Sequence, residues 1–326
     1  MAYAHSLYKP DASSNSLLHK EEDLARYCKG GHHPVNIGDV FEGEHGRYKV
    51  VIVAASAAGP SKELEMLDTL KDTPGIVNIV ETFTHKSSNG IHICIVQELL
   101  GPSIALAIAR NSPLDPYLRL EPATTLCPGL PLHIVKRVQW EKWESEHTER
   151  NHLRLLDLGD SFFEAKPPRD IGQPRPLKVP ETIFKTDRPL DHRLDLWRAG
   201  CVIYFMVFGR YPFTETTPDA ALVHQMIHFG EDLPSQWQPQ WEKLKRHNPG
   251  ECSSADVKPR RSKLAEQFLT VFASPSEDDD EDEWSDYCRL KKLQPVIEGL
   301  VRFRPADPIG AQVVLDMVNR TISDAC

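Results

Sequence analysis

Three carboxylates in the middle of the chain lie where the local sequence pattern changes. Asp157 ends an apolar run and opens the turn Asp157-Leu158-Gly159. Glu181 follows a Val-Pro pair, and Asp195 lies at the start of an apolar helix that Gly209 closes. Carboxylates bind divalent cations or accept hydrogen bonds from backbone amides. An Asp-Leu-Gly triplet alone is an ordinary strand-to-turn signal, so the informative feature is the order and spacing of all three.

That order resembles the C-terminal lobe of a protein kinase. In that family an Asp-Phe-Gly motif binds metal, an Ala-Pro-Glu motif ends the activation segment, and a buried central helix follows. Asp157, Glu181 and the helix after Asp195 take these places here. The resemblance implies an α+β, bilobal protein-kinase-like fold with a mainly helical C-terminal lobe, and it makes Asp157 the metal ligand.

A second segment narrows the resemblance to one group of kinases. Residues 27–39 read YCKGGHHPVNIGD, which is similar to the YCPGGYHPV-x-IGD lead-in of SR-protein-specific kinases. These enzymes phosphorylate serine in Arg-Ser repeats. The resemblance therefore implies ATP and Mg as cofactors, and either an Arg-Ser-rich protein substrate or another protein partner.

The resemblance also implies a nucleotide site. Lys49 takes the place of the lysine that holds the phosphates, and Glu63 takes that of the glutamate that pairs with it. A solvated strand lysine and a solvated helix glutamate are the alternative interpretations of these two residues. Backbone groups near Glu98 and Leu100 would bind the adenine edge, and Gln97 takes the gatekeeper position.

Two segments depart from the kinase pattern where catalysis depends on them. Residues 47–50 resemble the start of the first strand, whereas residues 50–55 already resemble the end of the third, so the glycine loop between them is missing. In the catalytic loop His147-Thr148 matches, but Glu149 stands where the aspartate base is expected. Only three residues separate Glu149 from Leu153, which leaves no room for the lysine and asparagine of that loop.

Two further carboxylates differ from the family in the partners that the sequence offers them. Glu181 would pair with an arginine late in the lobe, but Pro308 stands at that position, so Arg302 or Arg304 would have to replace it. Asp195 would accept hydrogen bonds from the catalytic loop in an apolar surrounding. We expect the remaining residues, 147–152, to supply those donors.

Periodic apolar residues place the main elements. Spacing of three and four predicts helices over 64–70, 132–138 and 311–322, the last of them closing the core of the helical lobe. Apolar runs over 76–83 and 91–100 predict two strands. The fold implied is a truncated N-terminal β lobe followed by a helical lobe.

Composition indicates a globular protein with no nucleic-acid surface. The net charge is −9, but seven acidic residues form the single run Glu277–Glu283, which leaves 38 basic against 40 acidic residues elsewhere. The seven cysteines contain no Cys-x-x-Cys pair, which predicts reduced thiols in an intracellular protein of the cytoplasm or nucleus. No apolar run reaches membrane-spanning length, so no membrane partner is expected.

The sequence predicts three segments and leaves three functional interpretations open. The segments are a flexible arm (1–24), a truncated N-terminal lobe (25–110) and a C-terminal lobe (111–326) with an acidic insert (274–286). The chain is either a pseudokinase that binds proteins or an active ATP-dependent serine/threonine kinase with Glu149 as base. The third interpretation is an incomplete gene model that lacks coding segments at both gaps.

Overall fold

The structure is a computed structural model with an α+β fold, divided into two compact units, Met1–Ser161 and Phe162–Cys326. The arm 1–24, the acidic insert 274–286 and the predicted lobe boundary at 110 lie outside the described residues. No helix in the described part is long and apolar enough to span a membrane. The structure describes residues 26–36, 38–48, 52–53, 62–98, 100, 121–122, 133–134, 153–185, 189–213, 219–229, 232–247, 263–271, 290–303 and 311–323.

The first unit contains short antiparallel strands. One pair joins β1 and β2, and a three-stranded sheet has the order β3, β5, β4. Both strands predicted around 80 and 95 are confirmed, and they form a long hairpin in which Ser87 pairs with Gly90 at the turn. The bounds are β1 Phe41–Glu42, β2 Arg47–Tyr48, β3 Ile52–Val53, β4 Ile79–Ser87 and β5 Gly90–Gln97.

Helix α1 (Lys62–Thr69) covers the core of this unit. Its residues Met66 and Leu67 are buried, and they pack in one apolar cluster with Ile95 of β5 and Leu158. The helix predicted from apolar spacing over 64–70 is therefore confirmed. Because Leu158 belongs to the same cluster, α1 lies next to the Asp157 turn.

The helix predicted over 132–138 is wrong at the two positions that the structure describes. His133–Ile134 is a short strand, β7, which pairs antiparallel with β6 (Glu121–Pro122). Three apolar residues at helical spacing are too few to distinguish a helix from an extended segment. The β-branched Ile134 also favours the extended backbone.

The second unit is helical and is organised around α3, which the sequence predicted as a buried central helix. Its residues Cys201 and Tyr204 are fully buried, and Gly209 ends it in the left-handed conformation with φ 66°. The bounds are α2 Pro180–Phe184, α3 Arg193–Phe208, α4 Asp219–Phe229, α5 Gln238–His247, α6 Lys263–Val271, α7 Gln294–Leu300 and α8 Ala311–Ser323, with single 3-10 turns at Arg175–Leu177 and Ser235–Trp237.

The expectation that Asp195 is a buried, hydrogen-bonded carboxylate is wrong. Its side chain is 84% exposed, and its nearest cation is Arg198, 3.9 Å away. Leu194 and Trp197 turn into the core, and successive helical residues are rotated by about 100°. Asp195 therefore faces solvent, where a carboxylate in the first turn of a helix is favoured by the helix dipole.

Helix α8 forms as predicted but does not close the core of its unit. None of its side chains that the structure describes is buried, and Val313 and Leu315 are 50% and 51% exposed. Apolar periodicity determines which face of a helix is apolar. It does not determine whether another part of the fold covers that face.

Glu181 of α2 is half-buried and has no ion pair among the described residues. Of the two arginines proposed to replace its family partner, Arg302 donates from Nε to the Glu298 carbonyl at 3.0 Å instead, and Arg304 lies outside the described residues. Arg193 lines the same cleft but donates to both carboxylate oxygens of Asp191. Burial raises the pKa of Glu181, and the nearby positive charge of Arg193 lowers it only in part.

We expect Glu181→Gln to stabilise the protein at neutral pH by about 1 kcal/mol, because the variant no longer buries an unpaired charge. A carboxyl whose pKa is raised by folding contributes stability below its unfolded pKa and loses it as pH rises through the folded pKa. The gain should therefore be near zero at pH 4 and largest above pH 7. Urea denaturation at both pH values measures it.

The matched control is Asp195→Asn, which removes a solvated carboxylate from the same unit. We expect this variant to change the free energy of unfolding by less than about 0.5 kcal/mol. A destabilised Glu181→Gln variant at pH 7 would show that the carboxylate has a cationic partner after all.

Candidate functional site

Backbone hydrogen bonds join the segment around Asp157 to residues 75–77, which lie just before β4. Leu155 forms a parallel bridge with Ile76. The Leu155 N–H donates to the Gly75 carbonyl at 2.7 Å, and the Val77 N–H donates to the Leu155 carbonyl at 3.1 Å. These bonds bring residues more than 70 positions apart in the chain together, and they place Asp157 beside α1.

Asp157 has an unusual backbone conformation for a residue other than glycine. Its φ is 62°, in the left-handed region that only glycine, asparagine and aspartate adopt readily. The side chain is exposed, while the next residue, Leu158, is 95% buried in the α1 cluster. Backbone conformations of this kind are frequent at functional sites. The turn exposes the Asp157 carboxylate next to the buried side chain of Leu158.

Glu63 of α1 lies within electrostatic reach of Asp157. Burial is the larger cause of the raised pKa of Glu63, and the negative charge of Asp157 raises it further. Neither carboxylate forms an ion pair with any cation in the part of the chain that the structure describes. The predicted partner, Lys49, lies outside that part. Carboxylate oxygens are suitable donors for a hard cation such as Mg²⁺, so the residue type of Asp157 suits the metal that the kinase resemblance implies.

The predicted adenine-binding segment lies at the end of β5. The Glu98 N–H donates to the Asn78 carbonyl at 3.2 Å, and the Glu98 carboxylate accepts from the Asn78 N–H at 3.2 Å and from Arg154 Nε at 3.0 Å. Within the described residues, the Glu98 carbonyl and the Leu100 N–H have no hydrogen-bond partner. These are the acceptor and the donor that the resemblance assigns to adenine.

Gln97, at the predicted gatekeeper position, has an unsatisfied polar group. Its side-chain Nε2 is buried and has no hydrogen-bond partner among the described residues. Leaving a buried donor unpaired costs about 1–3 kcal/mol. A ligand with an acceptor beside Gln97 would satisfy this donor. The resulting hydrogen bond would be a third polar contact, in addition to those of the two backbone groups.

Sequence reasoning missed the contacts that hold this site together. Arg154 was not singled out, yet it joins the Asp157 segment to Glu98 across 56 positions in the chain. Asn78 was also missed, although its carbonyl accepts from the Glu98 N–H and its N–H donates to the Glu98 carboxylate. No local pattern identifies such residues, because their roles depend on partners distant in sequence. Glu149, the predicted base, lies outside the described residues and stays a prediction.

Comparisons with known proteins agree with the kinase resemblance. Human SRSF protein kinase 3 (Homo sapiens) is 28% identical over 223 residues, which cover 52% of this chain and 37% of that kinase. The mouse and pig proteins of the same name (Mus musculus, Sus scrofa) are each 26% identical over 126 residues, which cover 28% of this chain and 22% of theirs. These similarities support a relationship to the protein kinases. No known protein-family profile matches it, and it spans 37% or less of the length of these relatives.

Proposed function

We propose that the chain is a pseudokinase of the SR-protein-kinase type, with a bilobal fold, a truncated N-terminal lobe and a degenerate ATP site. The observation that carries this proposal is the electrostatic environment of Glu63. In an active kinase that glutamate pairs with the lysine that holds the phosphates. Here burial and the negative charge of Asp157 raise the pKa of Glu63, and Glu63 forms no ion pair with a cation among the described residues, which do not include Lys49. The two sequence gaps support the same conclusion.

We propose that the protein acts by binding another protein inside the cell, in the cytoplasm or nucleus. The net charge of −9 favours a basic partner, and an Arg-Ser-rich segment is the partner class that the kinase relatives suggest. Buried free thiols support a reducing location: Cys94 and Cys201 are fully buried and unpaired, and burial raises the pKa of the Cys94 thiol to about 11. We propose no direct contact with nucleic acid or membrane.

A second candidate, an active serine/threonine kinase that uses ATP and Mg, is favoured by the adenine-binding segment. The Glu98 carbonyl and the Leu100 N–H are the groups that the resemblance assigns to adenine, and Asp157 is the residue that it assigns to the metal. If Mg bound there, it would neutralise phosphate charge. The two candidates differ in whether the phosphates are held, because adenine alone needs only the backbone groups.

Thermal denaturation with adenosine and with Mg-ATP separates the two candidates. A ligand at a hundred times its Kd stabilises the folded state by about 2.7 kcal/mol. We expect adenosine to raise the melting temperature equally with and without Mg²⁺, and we expect the triphosphate to add nothing to that rise. Stabilisation by Mg-ATP beyond that by adenosine, lost in Asp157→Ala, would contradict the pseudokinase proposal.

A matched pair of variants tests the adenine contact itself. Leu100→Pro removes the N–H donor, whereas Leu100→Ala keeps it and removes only apolar contacts. We expect the adenosine effect to be lost in the proline variant and kept in the alanine variant. Both variants are first compared without ligand by circular dichroism, so that a folding defect is not mistaken for lost binding.

A further inference from the structure

Two histidines of α4 lie one helical turn apart and face each other. The Nε2 atoms of His224 and His228 are 3.1 Å apart, and their ring centroids are 4.3 Å apart. Residues four positions apart lie on the same face of a helix. Both side chains are half-buried, so each keeps one side open to solvent.

This distance matches the separation of two ligands on one metal ion. Zinc–nitrogen bonds are about 2.0–2.1 Å long, which places two nitrogens about 2.9 Å apart at a right angle and about 3.4 Å apart at a tetrahedral angle. The observed 3.1 Å lies between these values. Imidazole suits zinc, copper and nickel. We propose that His224 and His228 form a chelating site for a divalent transition-metal ion of this class.

The rest of α4 holds the two rings in place for this role. Leu222, Val223 and Met226 alternate with the histidines and are 98% or more buried, so the backbone that carries the rings is fixed in the core of its unit.

A direct hydrogen bond between the two rings is the competing interpretation. In that case one neutral imidazole donates from Nε2 to the other at 3.1 Å. Metal binding would replace this proton with an ion about 2.0–2.1 Å from each Nε2, off the line that joins the two nitrogens, so both rings would have to turn their lone pairs toward the ion. The two interpretations therefore make opposite predictions for titration with a metal.

A three-residue cluster elsewhere in the same unit is a weaker metal site. Potential ligand atoms of Glu164, Asp191 and His192 lie within 4.8 Å of one another. However, both oxygens of Asp191 accept hydrogen bonds from Arg193, at 2.8 and 2.9 Å from its Nε. A metal ion there would have to displace the Arg193 guanidinium from Asp191. The positive charge of Arg193 would then repel the ion.

Calorimetric titration of the full chain with Ni²⁺, in a buffer that does not coordinate metals, tests the proposal. The chain has 14 histidines, so the informative quantity is the difference between wild type and variants. We expect one equivalent of Ni²⁺ to bind the wild type, and its Kd to rise about a hundredfold in His224→Ala or His228→Ala, because a chelate becomes a single ligand.

The matched control is His247→Ala, which removes a single exposed histidine from α5. The Nδ1 of His247 donates to the Lys243 carbonyl. This variant should keep the wild-type site. Equal weakening in all three variants, no loss in the two α4 variants, or no binding by the wild type would each overturn the proposal.

A spectroscopic measurement separates ligand loss from misfolding. Electron paramagnetic resonance of the protein with one equivalent of Cu²⁺ counts the coordinated nitrogens, and we expect one fewer in either α4 variant. Melting temperatures in chelator should match the wild type. A variant that melts normally and retains the full nitrogen coupling would show that the ion binds elsewhere. The site shares no residue with the nucleotide site, so this result does not depend on the pseudokinase proposal.

Discussion

No transfer of phosphate from ATP to an Arg-Ser-repeat peptide is expected from the purified chain. In the proposed alignment with the kinases, Glu149 takes the place of the aspartate base and is one methylene longer, and a misplacement of about 1 Å can cost on the order of a hundredfold in rate. The same alignment leaves no lysine or asparagine to act on the γ-phosphate and the second metal. Because these losses affect one transition state, the combined rate should fall below detection.

Incorporation of radiolabelled phosphate into the Arg-Ser-repeat peptide measures the transfer. The proteins compared are the wild type, Glu149→Gln and Asp157→Ala. All three proteins should be indistinguishable. Activity that persists equally in both variants would come from a contaminating kinase. Activity that disappears in either variant would establish the chain as an enzyme and contradict the pseudokinase proposal, while leaving the adenine contacts of Glu98 and Leu100 unaffected.

Gly200→Ala in α3 is expected to destabilise the second unit by about 2 kcal/mol. A Cβ at Gly200 would lie 2.6 Å from Val301 Cγ2 and 2.8 Å from Leu300 Cβ. Both neighbours are buried, at 4% and 5% exposure, and a packed core cannot move aside without strain. Helix propensity alone predicts the opposite sign, a gain in stability of about 1 kcal/mol. The sign of the measured change therefore shows whether steric overlap or helix propensity dominates.

A double-mutant cycle identifies the contact responsible. Val301→Ala removes the closest atom, so Gly200→Ala should cost less in that background than in the wild type, with a coupling of about 0.5–3 kcal/mol. Ala199→Gly, at the exposed neighbouring position, provides the propensity baseline and should cost about 1 kcal/mol. A stabilised Gly200→Ala variant would show that α7 does not pack against α3 as closely as the structure has it.

Part of the candidate site could be predicted from the sequence because its residues lie in recognisable local patterns. The Asp157 turn follows an apolar run, Glu63 lies on a helix with regular apolar spacing, and Glu98 follows a strand. The structure places all three in one unit. Arg154, which joins two of these segments, could not be predicted, since an arginine in a polar sequence carries no local signal of its partner.

By itself the sequence determined the type and approximate bounds of the strongly patterned elements, such as α3 with its closing Gly209. These follow from residue propensity and apolar periodicity, which act over a few neighbouring residues. Only the tertiary structure decided that Asp195 is solvated, that Glu181 has no ion pair among the described residues and that the charge of Asp157 acts on Glu63. Burial and charge pairing depend on groups brought together from distant positions, and the same local pattern is compatible with several such arrangements.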